Sequence, residues 1–218
     1  MMKDVTRRMA GLVIVSTLLL GGAARAEDAC TGYGAHLAAM AEADKALRGR
    51  QDYLAGPDDS GQARRQAQLD LIERANAARL RTLLARCGWP LRSVWGDAAG
   101  YTAWQLIRQY GQDLGLQRTA APHLERAVAA GEAPGRELAL LLDRIAVAEG
   151  RPQAHGTQMR QLGCRWVPQP MDDRTLVEER RRQLGLPSLE EQERQANGMV
   201  IHEGCENHVS AAPLPDIK

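Results

Sequence analysis

Eleven polar side chains stand on or beside segments whose apolar pattern turns inward: Asp44, Arg48, Asn76, Gln109, Asp113, Asp143, Arg144, Gln153, His155, Thr157 and Gln158. Carboxylates, guanidiniums and carboxamides gathered in one place can hold a polar ligand through charge-assisted hydrogen bonds. The same groups can instead satisfy one another and lock helices together. Asp44, Asp113 and Asp143 could also furnish a carboxylate pair for hydrolysis, with His155 as a base beside one of them. No nucleophile motif accompanies them, and the sequence has no glycine-rich phosphate loop, dinucleotide fingerprint or serine elbow. No catalytic residue is assigned on these grounds, and no cofactor is expected.

The element that must position these groups is the stretch from Glu137 to Gln158. Between Leu138 and Ala148 nearly every residue is apolar: Leu138, Leu141, Leu142 and Ile145 cover one side, Leu140 and Val147 the other. A helix apolar on all sides belongs in the interior. Its charges, Asp143 and Arg144, are consecutive and so lie about 100° apart on the helix. They cannot pair as an i, i+4 couple, and each needs a partner from another element. Gly150 and Pro152 end the helix, and the loop Gln153-Ala-His-Gly-Thr-Gln158 that follows is dense in donors and acceptors.

The other elements follow from spacing. Met40, Asp44 and Arg48 recur at four-residue steps on one face of a helix predicted over 35–54, and Gly56 to Gly61 reads as a loop. A long amphipathic helix over 62–87 carries the stripe Leu69, Ile72, Leu80, Leu83, Leu84 and Cys87, and Asn76 falls inside it. Gly88-Trp89-Pro90 breaks the chain. On the next helix, starting near Asp97 or Ala98, the spacing of Gln109, Asp113 and Gln117 puts them on one face, although Gly111 and Gly115 suggest a break there. A further helix is predicted over 122–130. After Gln158 the pattern fits a short irregular or hairpin segment, then a helix over 174–184 capped by Asp172 or Asp173, then a last one opened by Ser188-Leu-Glu-Glu. The fold class is all-α, a single domain of about six helices with a tail from about residue 198.

Residues 1–26 read as a secretory leader: Lys3, Arg7 and Arg8 precede an apolar run, and Ala24-Arg25-Ala26 is a cleavage site. The expected product is periplasmic or secreted, a domain over 27–218 with no membrane span. The full sequence carries 28 Lys and Arg against 27 Asp and Glu, a balance that gives no attraction to nucleic acid. Cys30, Cys87, Cys164 and Cys205 make an even set for an exported chain, and the preferred pairs are Cys30 with Cys87 and Cys164 with Cys205. That second bridge would take the thiolate away from His202, Cys205 and His208, so no metal is expected there. Trp89, Trp95, Trp104 and Trp166 serve most simply as core fillers in a chain without phenylalanine, with stacking on a sugar as the alternative.

Met40-x3-Asp44-x3-Arg48, Gly88-Trp89-Pro90, Leu142-Asp143-Arg144, Gln153-x2-Gly156-Thr157-Gln158 and Arg181-x2-Leu184-Gly185-Leu186-Pro187 together resemble the pattern of an uncharacterised bacterial domain family of unknown function. The resemblance covers most of the chain after the leader. It implies an all-helical domain and brings no activity with it. The family pattern has a histidine after the glutamine at Gln109 and a tyrosine before Gly-Thr-Gln; this chain has Tyr110 and His155 there. The expected role is a non-catalytic binding or interaction domain of the cell envelope, its partner an unknown small molecule or envelope protein. A hydrolase working through paired carboxylates is the alternative.

Overall fold

The structure, a computed structural model, describes residues 30–54 and 59–198. Among them are seven helices and one small hairpin, in the order α1 (Tyr33–Leu54), α2 (Asp59–Cys87), α3 (Arg92–Gln109), α4 (Leu114–Ala129), α5 (Gly135–Ala148), β1 (Met159–Leu162), β2 (Arg165–Pro168), α6 (Arg174–Gln183) and α7 (Leu189–Gly198). The all-α expectation holds. The expected leader and the tail beyond 198 lie outside the described residues, as do His202, Cys205 and His208.

The stripe read from α2 is the one that packs: Leu69, Leu80, Leu83 and Leu84 are buried. Leu80, Leu83 and Leu84 meet Tyr33, Leu37 and Met40 of α1 and Leu116, Ala120 and Leu124 of α4 in a single apolar cluster. Helix α1 packs on α2 and α3, α2 on α4, and α4 on α5, while α7 packs on β2. A disulfide joins Cys30 to Cys87, tying the start of α1 to the end of α2. Tyr33 reinforces the same junction by donating its hydroxyl to the Gly88 carbonyl at 3.1 Å. Cys164 is also disulfide-bonded; Cys205, its expected partner, is outside the described residues.

Three expectations need correcting. Gln109, Asp113 and Gln117 do not share a helix face, because the chain breaks between α3 and α4. Gln109 ends α3, while Asp113 is the N-cap of α4 and accepts from the Leu116 amide at 2.8 Å. Pro122 does not begin a helix but lies inside α4, where its missing N–H costs one backbone bond and its ring faces solvent. Helix α2 starts at Asp59, within the stretch read as a loop; residues 55–58 are outside the described set. Helix α3 is kinked at Gly96, with φ 75° and ψ 167°.

Helix α5 is the buried one, with Leu138, Ala139, Leu141, Asp143, Ile145 and Ala146 all inside. Gly150, at φ +68°, ends it in a left-handed turn: the Arg151 amide returns to the Ala146 carbonyl at 2.8 Å and the Gly150 amide to Val147 at 3.1 Å. The chain then runs into the antiparallel hairpin, whose register pairs Met159 with Pro168 and Leu162 with Arg165. Helix α6 starts where Asp173 accepts from the amides of Thr175 and Leu176, and α7 where Ser188 accepts from Glu191.

Candidate functional site

The structure places ten of the eleven polar residues in two groups. The first forms where α1, α2 and the end of α3 meet. Asp44 is 3% exposed, and its Oδ2 accepts from Arg48 Nε at 2.9 Å and from the Gln109 carboxamide. The same guanidinium reaches Glu73 on α2, so Arg48 clamps two carboxylates from two helices. Asn76 donates to the Tyr110 hydroxyl at 3.1 Å. Burial pushes the Tyr110 phenol up to about 12, which keeps it a neutral hydrogen-bonding group. Asp44 Oδ1 is buried without a partner among the described residues.

This group borders a cavity of about 450 Å³. Glu73, Arg74, Gln109, Tyr110 and Asp113 line it together with Asp70. Asp113 reaches it from the α3–α4 turn, held by Arg81 Nη1 at 2.6 Å. A small polar molecule would fit there with carboxylate, carboxamide and phenol groups within reach.

The second group is closed. Asp143, 0% exposed, projects from α5 into the loop that follows it. Its Oδ1 accepts from the amides of Ala154 at 2.9 Å and His155 at 3.0 Å, and its Oδ2 from Thr157 at 2.8 Å. Nδ1 of His155 lies 3.4 Å from Oδ1. Burial alone would push this carboxyl up, but the hydrogen bonds from His155 and Thr157 outweigh it and hold Asp143 below the usual aspartate range. Asp143 is therefore an internal anion around which the loop is wound. Gln153, also 0% exposed, gives its carboxamide to the carbonyls of Gln158 and Gln169 at 3.0 Å each and accepts from the Gln158 amide. Gln158 reaches back to the Leu140 carbonyl at 3.4 Å and to Thr157 Oγ1 at 3.0 Å.

Arg144 belongs to neither group. It donates to the Arg108 carbonyl at 3.1 Å, at the C-terminal end of α3, where a cation complements the exposed carbonyls. The two consecutive charges of α5 thus find their partners in backbone groups of other segments. Asp44, Asp113 and Asp143 are each bonded in a separate setting; the carboxylates that meet are Asp44 and Glu73. Among the described residues, no three His, Cys, Asp or Glu side chains are grouped as a metal ion would require.

One family pattern, described as "Family of unknown function (DUF6624)", matches residues 33–200. The chain belongs to that family. No curated protein and no solved structure matches it. The matched span takes in both polar groups.

Sequence reasoning passed over several contributors in this family member. Glu73 had a readable signal: with Leu69, Asn76 and Leu80 it follows the buried stripe of α2 at steps of four, three and four. Arg181, named only within the family pattern and given no role there, had no signal in local spacing, being the middle of three consecutive arginines. It is 1% exposed and donates to the carbonyls of Pro187 at 2.7 Å and His155 at 2.6 Å and to Gln192 Oε1 at 3.1 Å. Gln192 in turn donates to the Gly156 carbonyl at 2.7 Å, pinning the Gly-Thr-Gln loop from α7. Gly156 has φ +63°, and a Cβ there would stand 2.7 Å from Leu189 Cδ2. Only glycine passes this point without displacing α7.

Proposed function

We propose that this family member is an exported, non-catalytic binding domain of the cell envelope, and that its ligand is a small molecule carrying an amine. The supporting observation is the cavity beside Arg48, Glu73 and Gln109, to which α2, the end of α3 and the α3–α4 turn contribute polar side chains, with Asp70, Glu73, Tyr110 and Asp113 among them buried or half-buried. Its lining holds Asp70, Glu73 and Asp113 against Arg74; Arg48 pairs with Glu73 and Arg81 with Asp113, and Asp70, bonded to the neutral Gln66, is the carboxylate that favours a cation. The loop around Asp143 offers no such opening, since backbone amides already surround that carboxylate.

The test is thermal unfolding of the oxidised chain with simple mono- and diamines, set against neutral sugars and small anions. A specific ligand at a hundredfold excess over its Kd stabilises by about 2.7 kcal/mol. An amine-dependent rise in Tm that disappears in a folded Asp113→Asn variant supports the reading. Failure of every amine to raise Tm, or a rise that survives in Asp113→Asn and Glu73→Gln, overturns it.

A further inference from the structure

A second cavity, of about 450 Å³, lies between the start of α3 and the start of α5, and two of its lining side chains are buried polar groups without partners. Trp89 is 3% exposed and its indole Nε1 has no hydrogen-bond partner among the described residues; Glu137 is 8% exposed and its Oε2 has none either. A donor or acceptor left unpaired in a folded interior is uncommon and costly. Two lining one cavity point to a ligand that satisfies both.

The sequence explains why Glu137 is unengaged. It is the third residue of α5, counted from the N-cap Pro134. A glutamate at this position ordinarily turns back to the amide of the N-cap residue. Proline has no amide proton to offer. The usual partner is therefore missing by composition, and the carboxyl remains available to the cavity. Burial pushes it up to about 7 against a smaller opposing pull from Arg136, so it can present either an acceptor or an acidic proton near neutrality.

The rim charges are already committed. Arg92 donates to the Gly131 carbonyl, and Glu132 accepts from the Ser93 amide at 2.8 Å, so these two fasten the start of α3 to the turn between α4 and α5. Asp97, its side chain 88% exposed, lies 3.9 Å from Arg92 at the solvent-facing rim; the buried polar groups that remain are one N–H and one carboxyl, among the apolar walls of Pro90, Ala133 and Pro134. The indole can only donate, so the ligand must bring an acceptor; the carboxyl oxygen is met by a donor. A secondary amide carries both on one planar group, with no charge to desolvate.

We propose that the Trp89–Glu137 cavity is a binding site for a small neutral ligand bearing a secondary amide, whose carbonyl accepts from the Trp89 indole and whose N–H donates to Glu137. Such a group occurs in an N-acetylated sugar and in a short peptide, and the site reads the amide itself. It is separate from the amine cavity, and neither reading depends on the other.

The experiment follows the indole N–H resonances of the oxidised full chain, that of Trp89 assigned through a Trp89→Phe variant, during titration with N-acetylglucosamine or N-acetyl-alanine-N-methylamide. Glucosamine and glucose are the controls without the amide. Saturable movement of the Trp89 resonance with one or both amides, and not with the controls, supports the site, and the responding probe names the source. Glu137→Leu should weaken that binding about tenfold, the worth of one ordinary hydrogen bond. Gly100→Ala supplies a check that does not rely on Glu137. Its Cβ would stand 3.6 Å from Trp89 Nε1 and 3.4 Å from the Pro90 carbonyl, an ordinary contact that narrows the cavity beside the indole. This variant should keep or raise Tm, as alanine does in a helix, yet lose the response. No movement with either amide, equal movement with the controls, or full binding in Gly100→Ala overturns the proposal.

Discussion

The polar group around Arg48 and the one around Asp143 are built from the same residue types, yet they differ in what satisfies them. Arg48, Asp44, Glu73 and Gln109 are held side chain to side chain across three helices, next to an open cavity. Asp143 is held by the main-chain amides of a single loop wound around it. Side-chain partners can move when a ligand arrives. Backbone partners cannot do so without unfolding the loop. The first arrangement therefore suits recognition and the second suits scaffolding.

The largest expected effect tests the scaffold. Asp143→Asn replaces an acceptor surrounded by three N–H groups with an amide that brings donors of its own, and should cost about 3–5 kcal/mol, the range for breaking a buried charged network. Because the folded carboxyl is held below its unfolded value of about 3.9, its contribution is fully present above that value. It is lost as the pH falls through the depressed folded value. Denaturant unfolding of the two proteins should thus differ most at neutral pH and converge in acid. A constant difference at all pH values would show that Asp143 acts through shape and not charge.

Opening the Cys30–Cys87 bridge by Cys87→Ser should come next, at about 2–4 kcal/mol. The bridge spans a sequence separation of 57 and fastens the helices that carry Asp44 and Glu73. Thermal melts with and without reductant would measure it. A protein that melts identically when reduced would mean that Tyr33 and the apolar contacts hold this junction unaided. Gly156→Ala, in the closed region, should cost about 1–3 kcal/mol through its positive φ and its clash with Leu189. A neutral result there would mean that α7 yields easily, and the scaffold reading of that loop would weaken.

Much of the fold was legible because it rests on periodicity. The stripe of α2, the left-handed stop at Gly150, the cap at Asp173 and the hairpin after Gln158 all depend on local spacing or on a single residue's backbone preference. The arrangement of the polar groups was less legible. Asp143 and Arg144 declared that each needed a partner, but that partner is a run of loop amides for one and a helix-end carbonyl for the other, and neither has a side-chain signature. Reading Gln109 and Asp113 on one helix failed because the chain turns after Gln109, where a Cβ on Gly111 would stand 3.2 Å from the Arg108 carbonyl, and Asp113 then caps the next helix. Arg181 was hidden among identical neighbours, since nothing local distinguishes the arginine that turns inward. Glu137 was hidden differently, by the proline three residues before it that removes its usual partner.

The smallest effect on stability sharpens the comparison most. Glu73→Gln keeps the size of the side chain and removes one of the two anions on Arg48. Arg48 is 39% exposed and Glu73 26% exposed in this pair, so solvent screens it and the cost should be no more than about 1 kcal/mol. The same change removes a negative charge from the lining of the cavity, so the amine-dependent rise in Tm should fall away while the unliganded Tm hardly moves. Stability and ligand response would then separate here as they cannot at Asp143, where any substitution disturbs the fold itself. If Glu73→Gln instead lowered Tm as steeply as Asp143→Asn, the group around Arg48 would also be scaffold. The distinction between partners that can move and partners that cannot would then have no functional meaning in this protein.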